Sequence, residues 1–417
     1  MGKNGCKSGG GHVYKPLYGK KIILGVSGGI AAFKAAEYCR NLTKLGARVR
    51  VILTENGKRF VGPVTFSALT GNECLTSMFG QHFDNSPMTH IELATWGDIF
   101  VILPATANIL GKLACGIADD LLTTLFLAFT RSRLLFPAMN PSMYENPAVQ
   151  DNIATLKSRG IKVAEPDEGT VVCGAKGKGR LPDFETVLHL VRKMLARQDL
   201  KGLNILVTSG PTREYLDPIR FISNRSSGKM GTAIAKMTSI RGGRERLVTG
   251  PVCADIPDFL SHIKVESASD MAKAVFSEAK AMDVIIMAAA VSDYTPLSYS
   301  ETKIKKSTSE ISLKLKKTTD ILFELGKSKG PGQVLVGFCA ETENVIQNGF
   351  QKLKNKNLDL MVANDVTEPG AGFGHDTNKV FLIDAEENVE ELPLLHKEEV
   401  ADRILDKVKE IIHSKNR

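Results

Sequence analysis

Several short runs in this chain set hydroxyls, glycines and amides where an apolar strand turns into a helix, an arrangement that holds phosphate. The first is Gly25-Val26-Ser27-Gly28-Gly29. It departs from the G-x-G-x-x-G dinucleotide fingerprint, because Ser27 occupies the place of the middle glycine. A hydroxyl plus backbone amides at a helix N-terminus suits a terminal monophosphate better than a buried pyrophosphate. The same residues also spell the G-x-S-x-G nucleophile elbow, but an elbow follows a later strand and needs a downstream Asp and His. Thr54 and the run Pro104-Ala105-Thr106-Ala107-Asn108 repeat the theme at later strand ends. Singly each is an ordinary loop; together they favour a nucleotide-like cofactor.

Three further features of the first half carry groups able to move protons or grip anions. His90, in Met88-Thr89-His90-Ile91-Glu92, falls at a helix start, where the positive end of the dipole favours a neutral ring able to act as base. A lone histidine is by itself more often a plain surface or core residue. Asn140, in Pro137-Ala138-Met139-Asn140-Pro141-Ser142-Met143-Tyr144, places an amide just past a strand, fit for a carboxylate or for a simple Asn-Pro turn. Cys173 sits in Cys173-Gly174-Ala175-Lys176-Gly177-Lys178-Gly179-Arg180, a glycine-rich flap whose cations can acidify a thiol.

A second strand-to-loop opening, Ile205-Leu206-Val207 into Ser209-Gly210-Pro211-Thr212, begins near mid-chain and ends in Asn224-Arg225-Ser226-Ser227-Gly228-Lys229-Met230-Gly231. Further on, the small-residue edge Ala288-Ala289-Ala290 allows close ligand approach, and Asp293 and Asp320 are candidates for Mg²⁺ or a nucleotide sugar. Lys303, Lys305 and Lys306 can reach a polyphosphate, or simply form a solvated basic face. On a helix Lys352 and Lys356 share a side while Lys354 does not. The P-loop motif GxxxxGK[ST] is missing: Ser227-Gly228-Lys229 lacks the upstream glycine and the following hydroxyl.

The elements that must position these residues alternate. Strands are expected at 21–26, 49–53, 99–103, 134–136 and 161–163, with helices at 30–45, 63–69, 91–96, 121–129 and 147–159. Such alternation predicts a parallel, doubly wound α/β sheet, with ligands at the carboxyl ends of its strands. An amphipathic helix over 182–198 leads into the polar break Asp199-Leu200-Lys201-Gly202, where we place the domain boundary. The tightness of that break suggests a fixed relation between the halves. The second half repeats the α/β pattern, with helices at 233–241, 269–281 and 397–412 and strands at 263–265, 283–291, 334–338, 358–362 and 379–383. The run 311–316 alternates like a strand. Arg244-Glu245-Arg246 is charged where a strand should be apolar, which predicts a short or edge strand. The domains are thus a flexible basic tail over 1–19, a first domain over 20–198 and a second over 199–417.

Composition narrows the function. At 417 residues, 43% hydrophobic and 24% charged, the chain is an ordinary globular protein of two or three domains. Its net charge of +8 fits anionic small substrates or a solvated basic surface. Nucleic acid is not indicated, since no basic block is interleaved with aromatics. Seven scattered cysteines without a CxxC pair indicate neither a disulfide framework nor a zinc knuckle, and fit a reducing cytosol. The apolar runs 121–129 and 284–291 are too short to span a bilayer, and the first twenty residues lack a secretory apolar core.

Taken together, Ser27-Gly28-Gly29-Ile30-Ala31, His90, Pro137 to Met143 and Cys173 to Pro182 resemble the homo-oligomeric flavin-containing cysteine decarboxylases, more narrowly the phosphopantothenoylcysteine decarboxylases. The resemblance covers about 20–197. It implies FMN held by Ser27, Gly28, Gly29, Thr54, Thr106, Ala107, Asn108 and Ala138. It also implies His90 as base at the substrate cysteine, Met139 and Asn140 at the substrate with Asn140 clamping its carboxylate, and Cys173 as proton donor. The chemistry accounts for such a set. An alkyl carboxylate has no electron sink, but oxidation of the neighbouring thiol to a thioaldehyde creates one; carbon dioxide then leaves an ene-thiolate that must be reduced and protonated under a closed flap. Tyr144 stands where such proteins often carry Trp, which should affect packing on substrate or flavin.

The second half, from 199 on, resembles phosphopantothenate–cysteine ligase through SGPTRE, DPIRFISNRSSGKMG, AAAVSDY, KIKK, GFCAET and KNLDLMVAND. It implies CTP contacts by Met287, Ala288, Ala289, Asp293, Lys303, Thr319, Asp320, Ile321, Leu322, Phe338, Lys352 and Lys356, with Mg²⁺ at Asp293. It implies Arg220 and Asn224 at the phosphopantothenate or acyl-cytidylate, and Asn224 and Lys303 in catalysis. The two halves in this order resemble the fused bifunctional coenzyme A biosynthesis enzymes. These activate the carboxylate of 4′-phosphopantothenate with CTP, add L-cysteine and decarboxylate the product. Trimers of the flavoprotein half and dimers of the ligase half, combining to a dodecamer, are implied as well, in the cytoplasm. Thr318-Thr319-Asp320 lacks the proline common before that aspartate, which leaves the local turn open. Two other readings compete: an NAD(P)-dependent reductase, and a non-enzymatic regulator that keeps the flavoprotein fold.

Overall fold

The computed structural model describes residues 14–79, 88–170, 174–252, 256–305, 312–365, 370, 372 and 374–415. The chain divides into two compact units between Ala196 and Arg197.

In the first unit, β1 (Lys21–Val26), β2 (Arg48–Leu53), β3 (Ile99–Ala105), β4 (Ser132–Pro137) and β5 (Lys162–Val163) form a parallel sheet in the order β2-β1-β3-β4-β5. Successive side chains of β1 serve opposite faces, as a sheet covered on both sides requires. Ile22, Leu24 and Val26 enter one core with α1 (Ala32–Lys44), and Ile23 enters the other with Phe100 and Phe126. Between β2 and β3 come α2 (Glu55–Lys58), α3 (Pro63–Thr70) and α4 (Thr89–Trp96). After β3 come α5 (Ala107–Cys115) and α6 (Leu121–Ala128), and after β4 come α7 (Pro141–Tyr144) and α8 (Pro147–Ser158). The glycine-rich flap is a hairpin of β6 (Asp167–Thr170) and β7 (Lys176–Arg180), and α9 (Phe184–Leu195) closes the unit, Asp183 capping it through Thr186 N–H.

The expected tail over 1–19 needs correction at its end. Residues 1–13 lie outside the described residues, but Leu17 is buried in the core and its N–H bonds Leu45 O at 3.1 Å. Nearby lysines and a glycine hid one apolar anchor.

The second unit is built on β8 (Asn204–Ser209), followed by the hairpin β9 (Arg213–Tyr215) and β10 (Phe221–Ser223), then α10 (Lys229–Ile240), β11 (Arg244–Thr249), β12 (His262–Lys264) and α11 (Ala268–Ala279). Next are β13 (Val284–Met287), the pair β14 (Tyr294–Pro296) and β15 (Leu315–Lys317), α12 (Ile321–Ser328), β16 (Val334–Glu341), α13 (Val345–Asn355) and β17 (Leu360–Asp365). The chain ends through β18 (Thr377–Asn378), β19 (Val380–Asp384), β20 (Val389–Glu391), β21 (Leu395–His396) and α14 (Lys397–Lys415). Its main sheet runs β12-β11-β8-β13-β16-β17-β19-β20, parallel up to β17 and antiparallel beyond. The two units are therefore tandem doubly wound α/β domains.

β11 corrects the expectation of a short or edge strand. It runs six residues and lies between β12 and β8. Its charges sit at the amino end, where Arg246 reaches Glu278 at 3.3 Å and Ser261 Oγ at 2.8 Å, while Leu247 and Val248 are buried.

In each sheet the order reverses at one place, between β1 and β3 in the first and between β8 and β13 in the second. The crevices at those switch points, outside the carboxyl ends of the strands, are where a doubly wound sheet binds ligands.

Candidate active sites

At the first switch point, β1 delivers Ser27 to the interior, almost fully buried. Its hydroxyl donates to Pro104 O at 2.8 Å and accepts from Thr106 N–H at 3.2 Å, tying the ends of β1 and β3 together. Gly28 must be glycine, because a Cβ there would stand 2.3 Å from Cβ of Asn56. Asn56 belongs to α2, whose N-cap Thr54 accepts from Gly57 N–H at 3.1 Å. Thr106 caps α5 in extended geometry without a side-chain bond to the helix. The first-turn amides of Ala107 and Asn108 thus form a dipole-positive edge.

The β6–β7 hairpin closes one side. A Cβ on Gly179 would lie 2.2 Å from Met139 O, so only glycine lets the hairpin seat against the turn that holds Asn140. Met139 N–H bonds Gly179 O at 3.0 Å, and Asn140 Oδ1 accepts from Ser142 N–H at 2.9 Å as the cap of α7.

These elements enclose a cavity of about 1020 Å³. Ser27, Gly28, Gly29, Thr54, Thr106, Ala107, Asn108 and Ala138 all line it, together with Met139 and Asn140. His90 does not; it stands half-buried in the first turn of α4. Cys173 lies outside the described residues. Tyr144 is not on the cavity wall either: it is buried in the core beneath, donating to Glu165 at 3.1 Å, and burial with the Glu165 charge pushes its phenol up to about 12. Sequence reasoning missed Asn56, Arg180 and the Lys112–Asp119 pair at 2.6 Å, which also line the cavity. Asn56 had a signal, two residues beyond Thr54 at a strand end, and Arg180 reads in the sequence only as a cation of the flap; Lys112 and Asp119 had none.

In the second unit the crossing of β8 and β13 is tied by hydroxyls. Thr208 Oγ1 accepts from Ala289 N–H and Thr212 Oγ1 from Ser292 N–H, both at 3.0 Å. Ser209 Oγ donates to Gly228 O at 2.7 Å, and Gly228, with φ of +76°, starts α10. Asn224 donates its amide to Ala290 O at 3.0 Å and Val291 O at 3.3 Å, which places it beside the alanine edge. Arg220 lies on the same segment, its side chain partly exposed. Its guanidinium bonds the buried Asp217 carboxylate at 2.6 and 2.9 Å and Ile304 O at 2.6 Å. Asp217 also accepts from Ile304 N–H at 3.2 Å, so the residue after Lys303 is pinned on both sides.

Ala288, Ala289 and Phe338 line one small cavity, with Met287 buried beneath in the core. Asp320 caps α12 by accepting from Phe323 N–H at 3.0 Å, which settles the turn that lacked a proline, and Ile321 and Leu322 follow in its first turn. Lys356 pairs with Asp320 at 2.8 Å and Lys352 with Glu341 at 2.6 Å. Burial opposes the charge on Lys352, but Glu341 and the nearby Asp293 carry its ammonium above the ordinary value. Asp293, Lys303 and Thr319 are exposed. Among the described residues no cluster of three or more His, Cys, Asp or Glu forms a ready metal cage.

Two residues of this half were given no role from the sequence, Asn364 within the KNLDLMVAND run and Lys397 at a helix start. Asn364 is nine-tenths buried at the end of β17, and among the described residues its side-chain carbonyl has no hydrogen-bond partner. Lys397, 5% exposed at the start of α14, donates to Gly372 O at 3.2 Å and to His375 O. Burial and the Lys229 ammonium push it down to about 8, against the pull of Asp376.

Comparison with known proteins matches this two-part architecture. A model of the flavoprotein family fits residues 12–196, and one of the DNA/pantothenate metabolism flavoprotein C-terminal domain fits residues 200–412. The chain is thus of the class that joins a flavoprotein domain to that C-terminal domain. It is 46% identical over 396 residues to the coenzyme A biosynthesis bifunctional protein CoaBC of Bacillus subtilis, covering 94% of this chain and 97% of the relative. It is 41% identical over 405 residues to that of Escherichia coli K12, covering 96% and 99%. A crystal structure of the C-terminal domain of a CoaBC protein is 40% identical, covers 52% of this chain and 99% of its own, and has a TM-score of 0.45. The chain belongs to the family of coenzyme A biosynthesis bifunctional proteins, CoaBC.

Proposed function

We propose that this chain performs two consecutive steps of coenzyme A biosynthesis: ligation of 4′-phosphopantothenate to L-cysteine with CTP by residues 199–417, and FMN-dependent decarboxylation of the product to 4′-phosphopantetheine by residues 20–198. The observation that carries the reading is the convergence of four separate segments, ten residues from Ser27 to Asn140, on one cavity at a switch point of the first sheet.

The residues fit FMN. A cavity of about 1020 Å³ is at the upper end of ordinary ligand sites, roomy enough for a flavin and the end of a substrate. The missing Cβ of Gly28, the hydroxyls of Thr54 and Thr106 and the open amides of α5 suit a phosphate monoester, and Ile30, Ala138 and Leu181 offer apolar walls for a ring system. Bound there, the flavin would supply the reversible two-electron exchange that makes the substrate thiol an electron sink and afterwards restores it. The amide nitrogen of Asn140 would hold the departing carboxylate, its plane fixed by Ser142. His90 would take the thiol proton, and Cys173 would return a proton to carbon once carbon dioxide has left. The β6–β7 hairpin would keep water from that side.

In the second unit, Lys303 and the α12–α13 cations would meet the triphosphate and offset charge growing at the α-phosphate. Mg²⁺ would arrive on the nucleotide, since a metal of this kind is held by one or two carboxylates plus substrate phosphates; Asp293 is the carboxylate we assign. Asn224 would orient the acyl-cytidylate from its anchor on Ala290 and Val291. The protein would work in the cytosol as a homo-oligomer, trimeric through the first unit and dimeric through the second, up to a dodecamer. Ile30, Phe33 and Met143, each about half exposed at the cavity rim, are surfaces such assembly would cover.

The test is direct. Purified protein should be yellow with a flavin spectrum, and a colourless protein that binds NAD would overturn the flavin assignment in favour of a reductase. Incubated with phosphopantothenate, cysteine, Mg²⁺ and CTP it should release pyrophosphate and then carbon dioxide; ATP supporting equal turnover would overturn the choice of nucleotide.

A further inference from the structure

The cavity that Asn364 and Lys397 share lies at the carboxyl ends of β13, β16 and β17, walled by Ala288, Ala289, Ala290 and Phe338. Its volume is about 130 Å³, room for a small ligand or for one part of a larger one. Two polar groups in it have unmet needs. Among the described residues the buried Asn364 carbonyl has no donor, a costly state unless a ligand supplies an N–H. An ammonium carries three donors, and Lys397 uses two on Gly372 O and His375 O. Among the described residues no carboxylate lies in ion-pair range of it, whereas its neighbour Lys229 is already paired with Asp376 at 2.7 Å. A ligand that completes this site presents an N–H donor and an anion a few bonds apart. A phosphate monoester answers Lys397 but turns oxygen lone pairs toward the Asn364 carbonyl. A cytosine answers Asn364 but leaves the cation unneutralised.

We propose that this cavity docks the amino-acid co-substrate of the ligase, an α-amino acid zwitterion, with Asn364 Oδ1 accepting from its amine and Lys397 pairing with its carboxylate. The site rests on the ligase reading above and adds the place of the second substrate. It abuts the reacting centre, because Ala290, one of its walls, is the residue whose carbonyl anchors Asn224. The bound ammonium first gives one proton to solvent; one N–H of the resulting amine stays on Asn364 and its lone pair faces the acyl carbon, so the proton released on attack is the second. Attack forms the C–N bond as the acyl C–O bond to the nucleotide phosphate breaks; cytidine monophosphate leaves with the electron pair, and the amine releases one proton.

The experiment uses the full chain with Lys397→Met and Asn364→Leu, and compares cysteine with cysteine methyl ester, which keeps the amine and lacks the anion. The wild type should prefer cysteine. Lys397→Met should raise KM for cysteine about ten- to a hundredfold, the range of a lost charge-assisted contact, and erase the preference over the ester. Asn364→Leu should raise KM for both amines alike. KM values for CTP and phosphopantothenate, read from pyrophosphate release, should stay within about twofold. An unchanged cysteine KM in both variants overturns the proposal, and so does a rise confined to phosphopantothenate or CTP, which would make the cavity a phosphate or base subsite. Should Lys397→Met fail to fold, Lys397→Gln reads the same contrast between cysteine and its ester. Failure of the ligase reading itself appears separately, as wild-type protein that releases no pyrophosphate with any nucleotide.

Discussion

Replacing Gly28 with alanine should strip the first unit of its flavin while leaving the second unit at work. The new Cβ would lie 2.3 Å from Cβ of Asn56, 2.7 Å from its carbonyl carbon and 2.9 Å from its oxygen. Carbon atoms rest about 3.5–4.0 Å apart, so the backbone of Asn56 must retreat by roughly an ångström. Asn56 follows Thr54, the cap of α2, and both line the cavity; the retreat therefore deforms the wall that grips the cofactor. Overpacking of this kind costs about 1–3 kcal/mol. If most of it falls on the bound state, FMN affinity drops about 5- to 150-fold, at 1.4 kcal/mol per factor of ten. Gly62→Ala, off the cavity wall, is the control, because its Cβ would meet nothing within 4 Å. We expect it to weaken FMN by less than about threefold. Flavin-stripped full-length proteins would be titrated with FMN and followed by quenching of flavin fluorescence, with pyrophosphate release as the check that the second unit is intact. Wild-type affinity in Gly28→Ala, or equal losses in the two variants, would refute the cradle.

Other outcomes follow from single contacts. Cys173→Ser should release carbon dioxide yet stall before the saturated thiol, and full turnover would remove Cys173 from the proton-donor role. Asn224→Asp replaces the amide that donates to Ala290 O and Val291 O with a group that cannot, so CTP should bind while the acyl-cytidylate step fails; unchanged ligation in a stopped assay would contradict this. Arg241, 1% exposed, pairs with Asp199 at 2.8 Å and with Asp402 and Asp406 at 2.9 Å. Arg241→Ala takes the guanidinium from the mostly buried Asp199, which keeps Lys409 at 3.1 Å, and from the partly exposed Asp402 and Asp406. A loss of about 1–3 kcal/mol, at roughly 2–4 °C per kcal/mol, lowers the melting temperature by about 2–12 °C. Burial would raise the Asp199 carboxyl, but Arg241 and Lys409 more than offset this and hold it down to about 2. Its contribution is therefore complete above the unfolded value near pH ~4 and lost as the pH falls toward 2. In Arg241→Ala that acid limb of the stability curve should flatten, as thermal melts across pH would read.

What the sequence disclosed tracks local chemistry. Ser27, Gly28 and Thr54 were legible because each follows an apolar strand, and the sheet order then brings them together at a switch point. β11 was misread because its charges cluster at one end, where Arg246 can leave the sheet for Glu278; periodicity alone cannot see such an exit. The flap read as a loop since Lys176-Gly177-Lys178-Gly179-Arg180 shows no apolar alternation, yet it pairs as a strand whose glycines seat against Met139 and Pro141. Leu17 stands between Pro16 and Tyr18 in a run too short to show a period. Asn364 and Lys397 are far apart in the chain and meet only through the fold, and the clasp of Arg220 on Ile304 O is likewise invisible without three dimensions.

The central claim, two coupled chemistries in one chain, is tested most directly by following pyrophosphate and carbon dioxide as separate products from one incubation with phosphopantothenate, cysteine, Mg²⁺ and CTP. The account predicts pyrophosphate first, carbon dioxide after a lag, and carbon dioxide alone when phosphopantothenoylcysteine is supplied without nucleotide. Carbon dioxide release that still required CTP when that acylated cysteine was supplied, or pyrophosphate release without phosphopantothenate, would contradict it.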